Sequence, residues 1–399
     1  MYCTLFTIHF FVEKKYKRNE KKMKEKIFLG IGAGPIQTGI FVSGASNSGF
    51  DRIVLADVDK ELVEAIKLSQ SITVNTAEYN EIVANTYSNI EIYNSSVPED
   101  LEELKKVAAQ ANVICTALPA TSFYKFLIPW LKDAFAATPD FQRFVYAAEN
   151  STTAAKDLKE TIGDFPSTYY LDTVIGKMSK VFDTSDTNQA PLTPRMTRGH
   201  LVEAFNTIYT ETAPGIEELE FQGLYPKTNL KSFEYAKLYG HNAAHFLMAI
   251  LASEQGCTNM DQVQNLPDIM ETVSFALKNE CGAALCQKFK GDDELFTKNG
   301  FDQYANELIY RMTSKTLSDS IDRVIRDLDR KLGWEDRVIG SIRLCLEQGV
   351  MPEKLISGAL IATKRYFGNG SDKMINGLKN LWQDAPDEEV ENLIRIMFP

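Results

Sequence analysis

The sequence predicts an α/β chain in which an N-terminal doubly wound parallel sheet is followed by a mainly α-helical domain. Three observations carry this. From Ile27 to about Val174, short apolar runs alternate with amphipathic stretches, the pattern of a parallel sheet covered on both faces. Beyond Phe233 the strand signals nearly vanish and apolar residues fall at helical spacing. The length of 399 residues, 44% of them hydrophobic and 24% charged, suffices for two domains of ordinary size.

Taken in order, Ile27–Ile31 reads as a strand, Ile36–Ser48 as a helix, Arg52–Ala56 as a strand and Asp59–Gln70 as a helix. Pro98–Gln110 follows as a helix with proline in its first turn, then strand Val113–Ala117, helix Ser122–Phe135 and strand Phe144–Ala148. Ala213-Pro214-Gly215 marks a boundary, placing the sheet domain at 23–212 and the helical domain at 213–399. Helical spacing continues through Phe233–Gln255, Ile269–Lys288, Asp302–Leu332 and Arg337–Gln348.

A net charge of −11 argues against nucleic acid, because phosphate backbones need a basic face. Cys3, Cys115, Cys257, Cys281, Cys286 and Cys345 form no CxxC pair and have no histidine at zinc-ligand spacing. They read as reduced thiols of a cytoplasmic protein, a monomer or small homo-oligomer. At the start, an apolar stretch (Leu5 to Val12) precedes a run from Glu13 to Lys26 with eight basic and three acidic residues. A secretory signal would reverse that order, and a membrane span would need about 20 apolar residues. Residues 1–22 are therefore expected to be a non-native or disordered extension, with translation beginning at Met23.

The first strand runs into Gly32-Ala33-Gly34-Pro35-Ile36-Gln37-Thr38-Gly39 and a helix, the setting in which glycines let a backbone approach a pyrophosphate at a helix N-terminus. Gln37 stands where a third glycine would be; the plainer reading is a tight turn without a ligand. Asp57 ends the next strand, where an acid binds the adenosine ribose hydroxyls and repels a 2′-phosphate. Asp59 fits better as a helix N-cap. Together these predict a Rossmann-type domain that binds NAD.

Glu234-Tyr235-Ala236-Lys237-Leu238-Tyr239-Gly240-His241-Asn242-Ala243-Ala244-His245 is the richest segment. At about 100° per residue, with Glu234 at zero, Lys237 lies near −60°, His241 near −20°, His245 near +20° and Asn242 near +80°, so the five polar groups share a face. A solvated surface would do the same, but lysine and glutamate usually dominate such surfaces. Oxidising a secondary alcohol needs a base for the hydroxyl proton and donors for the developing oxyanion. Lys237 can be that base if burial and a nicotinamide cation lower its pKa. Asn242 and His245 can donate to the oxygen, and Glu234 can pass the proton to solvent.

The spacing Lys237-x4-Asn242-x2-His245 resembles the signature of the polyol-specific long-chain (mannitol) dehydrogenases. Gly32-Ala33-Gly34 resembles that family's cofactor loop, Thr116-Ala117-Leu118-Pro119 its strand-end loop beside the cofactor, and Ala148-Glu149-Asn150 its acid-Asn pair near the nicotinamide. Arg311, Leu317, Asp319, Arg323, Arg330-Lys331-Leu332 and Asp336-Arg337 follow its helical domain. The resemblance implies an NAD-dependent enzyme acting on a secondary alcohol without a metal, with Lys237 as base, Asn242 and His245 on the substrate oxygen, and Glu234 as proton gate. It implies cofactor contacts from Gly32 to Gly39 and at Asp57, Ala117, Glu149 and Asn150. In Leu171-Asp172-Thr173-Val174-Ile175-Gly176-Lys177 the pair Gly176-Lys177 replaces an Asp-Arg pair; His241 replaces an apolar residue and Ser314 an Asn.

The length matches the family's sugar-phosphate branch, which implies interconversion of mannitol 1-phosphate and fructose 6-phosphate. A hexuronate reductase and a free-hexitol 2-dehydrogenase remain as alternatives, with a non-catalytic NAD sensor more remote. A phosphate needs fixed cations, for which bidentate arginine is efficient. The substrate candidates are Asp172, Arg311 and Arg337, with Lys177, Arg195, Arg323 and Arg343 as further cations that surface ion pairing would equally explain.

Overall fold

The structure, a computed structural model, describes residues 25–78, 81–317 and 319–399. The expected extension at 1–22 lies outside them. Twelve strands are described: β1 Ile27–Ile31, β2 Arg52–Asp57, β3 Ser71–Ala77, β4 Ile82–Ser88, β5 Ile90–Asn94, β6 Val113–Thr116, β7 Arg143–Ala147, β8 Thr168–Ile175, β9 Ser179–Asp183, β10 Arg198–Glu203, β11 Ile208–Glu211 and β12 Leu224–Lys227. Eight of them form one sheet in the order β12-β11-β8-β7-β6-β1-β2-β5, parallel from β5 to β8, with β11 antiparallel to β8. The chain order reverses between β1 and β6, the point where such sheets open a ligand crevice at their carboxyl ends. Strands β1, β6 and β7 are buried along their whole length, as expected of a sheet covered on both faces.

Eight strands were not expected: β5, β8, β11 and β12 extend the large sheet, and the other four form a small second sheet, β4-β3-β10-β9. Burial on β3 follows a rough alternation, but β4 is an edge strand with no buried residue, Ile82, Val83 and Ala84 running on without alternation, so the pair lacks the contrast by which sequence marks a strand. The large sheet also extends to Lys227, past residue 212, because β12 pairs with β11 after a connection that includes Ala213–Gly215.

Two expected helices are broken. Ser122–Phe135 is a short turn at Thr121–Phe123, a helix Tyr124–Leu127 and a second helix Leu131–Ala137. Pro129 causes the break, since proline removes an N–H and biases the residue before it toward extended backbone. The segment Asp302–Leu332 resolves into Lys298–Met312, Ile321–Ile325 and Leu328–Lys331. Thr313 Oγ1 bonds back to the carbonyl of Ile309 as the first of these ends, and Ser320 caps the second. Helices Glu353–Phe367, Ser371–Leu381 and Asp387–Met397 complete the helical half. They contribute Leu355, Ala359, Leu378, Trp382, Leu393 and Met397 to its single large core.

Candidate active site

The crevice at the switch point holds a cavity of about 620 Å³. Gly32, Ala33, Gly34, Pro35 and Ile36 form one wall, Asp57 to Asp59 another, and Ala117 to Pro119 a third. Gly32 has φ +83°, and a side chain there would come within 2.7 Å of the Ala117 carbonyl, so only glycine fits. A Cβ at Gly34 would meet nothing, leaving the main chain open to the cavity. Asp57 fixes the loop, accepting from the Ala33 N–H at 2.7 Å and the Asp59 N–H at 2.9 Å. Asp59 caps the next helix through the Leu62 N–H, as expected. A cleft of this size, ending at open backbone and flanked by an acid, fits a dinucleotide.

Gln37, Thr38 and Gly39 do not line this cavity, a correction to their expected cofactor role. Gln37 is fully buried, and its amide has no hydrogen-bond partner among the described residues. It packs over Gly30, where a Cβ would lie 1.8 Å from Gln37 Nε2. The close helix-to-strand approach usually granted by a third glycine is here granted by a glycine on the strand. Gly39 instead admits Val202 of the small sheet, whose Cγ1 would stand 2.3 Å from a side chain at 39. Thr38 Oγ1 bonds His200 Nδ1 at 2.9 Å.

Helix Leu230–Tyr235 passes into a π-helical segment, Ala236–Asn242, and then into Ala243–Glu254. The i→i+5 repeat changes which residues stack. Lys237 and Asn242 would sit about 140° apart on a regular helix, yet both open on one cavity of about 510 Å³, beside Glu149, Asn150, Glu234 and Arg337. Lys237 Nζ donates to Asn150 Oδ1 at 3.0 Å. Burial, and after it the Arg337 cation, lowers the Lys237 pKa to about 8, while Glu234 opposes the shift. Burial raises the Glu234 carboxyl, helped by Asp172 and Glu211. Glu149 is buried next to Asn150, accepting from Thr116 Oγ1 at 2.9 Å, from the Leu118 N–H at 2.8 Å and from the Tyr124 hydroxyl. It ties the ends of β6 and β7 together and lines the Lys237 cavity, not the dinucleotide cleft.

On the other side of Lys237 lies a second cavity, of about 320 Å³, bordered by Asn150, His241, Asn242 and His245. Lys177, Arg323, Arg326, Arg330, Lys331 and Arg337 also line it; Arg323, Arg326 and Arg330 are paired with Asp319, Asp327 and Asp336. His245 Nε2 is buried without a hydrogen-bond partner among the described residues and 3.5 Å from Asp319 Oδ2; burial lowers the ring's pKa to about 4. Burial also holds His241 well below the ordinary histidine range. Both imidazoles are thus neutral near pH 7, each with one N–H to donate. Arg337 donates through its main-chain N and its Nε to Asp336 Oδ1, leaving its Nη groups without a protein acceptor among the described residues.

The other expected substrate contacts are placed elsewhere. Arg311 is buried in a bidentate pair with Glu203, donates to the Gly176 carbonyl and stacks on Phe205, so it lines neither cavity. Asp172 accepts from the Ala155 N–H at the start of a helix and faces an adjoining groove, although it is close enough to Glu234 to raise that carboxyl. Arg343 is held by Trp334, Glu335 and Glu389. Arg330, Lys331, Tyr124 and His200 were not singled out as site residues. The first two lie in a run of charges that reads as a solvated surface. Among the described residues, no group of His, Cys, Asp or Glu is placed to hold a metal, and no helix is long and apolar enough to cross a membrane.

Residues 229–393 match the mannitol dehydrogenase C-terminal domain. Two solved structures share the fold over nearly the whole chain. One is substrate-free D-sorbitol dehydrogenase, with a TM-score of 0.67 at 13% identity, covering 93% of this chain and 94% of that one. The other is Pseudomonas fluorescens mannitol 2-dehydrogenase in a ternary complex with NAD and D-mannitol, with a TM-score of 0.61 at 11% identity and 94% coverage of each. Matched domain and shared fold together define the class: the helical half is a mannitol dehydrogenase C-terminal domain, in a chain that folds like these two polyol dehydrogenases. By sequence it is similar to mannitol-1-phosphate 5-dehydrogenase of Thermoanaerobacter pseudethanolicus, 27% identical over 82% of this chain and 83% of the relative. The Enterococcus faecalis enzyme of the same name is 23% identical over 92% and 94%.

Proposed function

We propose that the chain is a cytoplasmic enzyme that interconverts mannitol 1-phosphate and fructose 6-phosphate with NAD, using Lys237 as a metal-free general base. The observation that carries this reading is the juxtaposition at Lys237. A half-buried amine with a pKa lowered to about 8 stands between the cavity it shares with Glu234 and a cavity lined by six further cations. NAD, when bound, supplies the hydride acceptor. Lys237 Nζ takes the hydroxyl proton, held in place by Asn150 Oδ1. Asn242 and the neutral imidazole of His245 donate to the oxygen as charge builds on it. Glu234, with its carboxyl raised and solvent-side acids beyond it, returns the proton to water.

Arg337, with free Nη groups and a place in both cavities, is the principal phosphate contact; Arg330 and Lys331 add field. A hexuronate would also be attracted, but one bidentate arginine satisfies a carboxylate, whereas six cations suit a dianion. The test is NADH oxidation by the purified protein with fructose 6-phosphate, fructose and fructuronate in turn. A preference for the phosphorylated ketose of about 100-fold in kcat/KM, worth roughly 2.7 kcal/mol, supports the assignment. Preference for either unphosphorylated compound contradicts the substrate while leaving Lys237 chemistry intact.

A further inference from the structure

The dinucleotide cleft has a cation that its sequence motif does not announce. Arg198 begins β10 of the small sheet and lines the cleft beside Asp57 and Asp59, at the end where an adenosine ribose belongs. Side chains two apart on a strand share a face, and the three on this face of β10 are anchored in turn. Val202 fills the space over Gly39, and His200 Nδ1 bonds Thr38 Oγ1. Arg198 is therefore carried to the cleft by a strand fixed to the first helix, not by a loop. Its Nη2 donates to Asp59 Oδ2 at 2.9 Å, and no other acceptor meets its guanidinium among the described residues. Its side chain remains 39% exposed.

An acid at the ribose selects NAD, and a nearby arginine accommodates the 2′-phosphate of NADP. This cleft holds both. We propose that Arg198 is a second determinant of cofactor class, a 2′-phosphate receptor that Asp59 keeps engaged, so that NAD preference rests on the Arg198–Asp59 pair as well as on Asp57. The proposal rests on the dinucleotide reading of the cleft. Guanidinium and phosphate form a bidentate pair of the kind that exchanges readily for a single carboxylate bond.

Asp59→Asn keeps an effective N-cap for the following helix while releasing the guanidinium. It is expected to raise the ratio of kcat/KM for NADPH over that for NADH by at least about tenfold, and to tighten calorimetric binding of adenosine 2′,5′-bisphosphate to a similar extent. Arg198→Ala in the Asp59→Asn background should abolish both gains, and Arg198→Ala alone should lower the ratio below that of the unaltered protein. An unmoved ratio in Asp59→Asn, or a gain that survives loss of Arg198, overturns the proposal. If NADH fails to bind the unaltered protein by fluorescence titration, the dinucleotide reading falls and takes the proposal with it. If NADH binds and only the ratios disobey, that reading stands and Arg198 has no such role.

Discussion

Lys237 is charged at neutral pH in an ordinary protein, and its use as a base depends on what surrounds it. Burial is the largest influence here and the Arg337 cation the next; Glu234 acts in the opposite direction. The alcohol-oxidising limb of kcat/KM should therefore rise with pH through about 8, as the amine loses its proton. Removing the cation in Arg337→Gln should move that limb to higher pH, and removing the acid in Glu234→Gln should move it to lower pH. Shifts in one common direction would show that these neighbours do not set the base. Arg337→Gln should also raise KM for fructose 6-phosphate by about 10- to 100-fold while changing KM for NADH little, since a charge-assisted bidentate contact contributes about 1.5–3 kcal/mol. Lys237, Asn242 and His245 stood out in the sequence as candidates because alcohol oxidation restricts residue type and spacing together, and the structure sets them on adjoining cavities. Arg311 was misjudged because nothing in sequence distinguishes an arginine committed to a buried Glu203 from one left free, and Arg337 was legible only as a candidate for the same reason.

At the scale of elements, the departures from regular helix place the chemistry. A wheel drawn at the α-helical repeat puts Lys237 and Asn242 at the two margins of one face, and the π segment Ala236–Asn242 draws them together. Periodicity alone does not reveal such a segment, because it shifts the register by a single residue. The first helix shows the same dependence on close packing. Alanine normally stabilises a helix interior relative to glycine by roughly 0.5–1 kcal/mol, but at position 39 a methyl group would sit 2.3 Å from Cγ1 of Val202, a buried side chain stiff at χ1. Gly39→Ala is thus expected to destabilise by about 1–3 kcal/mol in urea unfolding. Val202→Ala in the same chain should recover most of that loss. An additive double variant would mean the two elements are not in the contact described. The small sheet that carries Val202 escaped the sequence reading because its edge strand β4 buries no residue and shows no alternation, whereas the wholly buried β1, β6 and β7 stood out as apolar runs.

For the whole molecule, the arrangement is a sheet domain with its cleft at the β1–β6 switch point, followed by a helical domain whose Lys237 helix begins just after the last strand. The class of each half was legible from the change of period along the chain, because burial on two sheet faces and burial on one helix face impose different spacings. Their division was less so: Ala213-Pro214-Gly215 looks like a linker, yet β12 lies beyond it and completes the sheet. Ligand in that cleft should stabilise the fold by mass action, about 2.7 kcal/mol at a hundredfold excess over Kd. NADH at that level is expected to raise the midpoint of thermal unfolding by about 3 °C for a chain of this size, and Asp57→Ala should reduce the shift. An unchanged midpoint with saturating NADH would argue against the cleft as a cofactor site.

The measurement closest to the central claim compares the unaltered protein with Lys237→Ala, both saturated with NADH and fructose 6-phosphate, after fluorescence titration has shown that each binds NADH. The account predicts that NADH affinity is retained within a few-fold while kcat falls by about 10²–10⁴, the usual contribution of a positioned acid or base. Turnover at the unaltered rate by Lys237→Ala would contradict it, because proton transfer would then belong to another group.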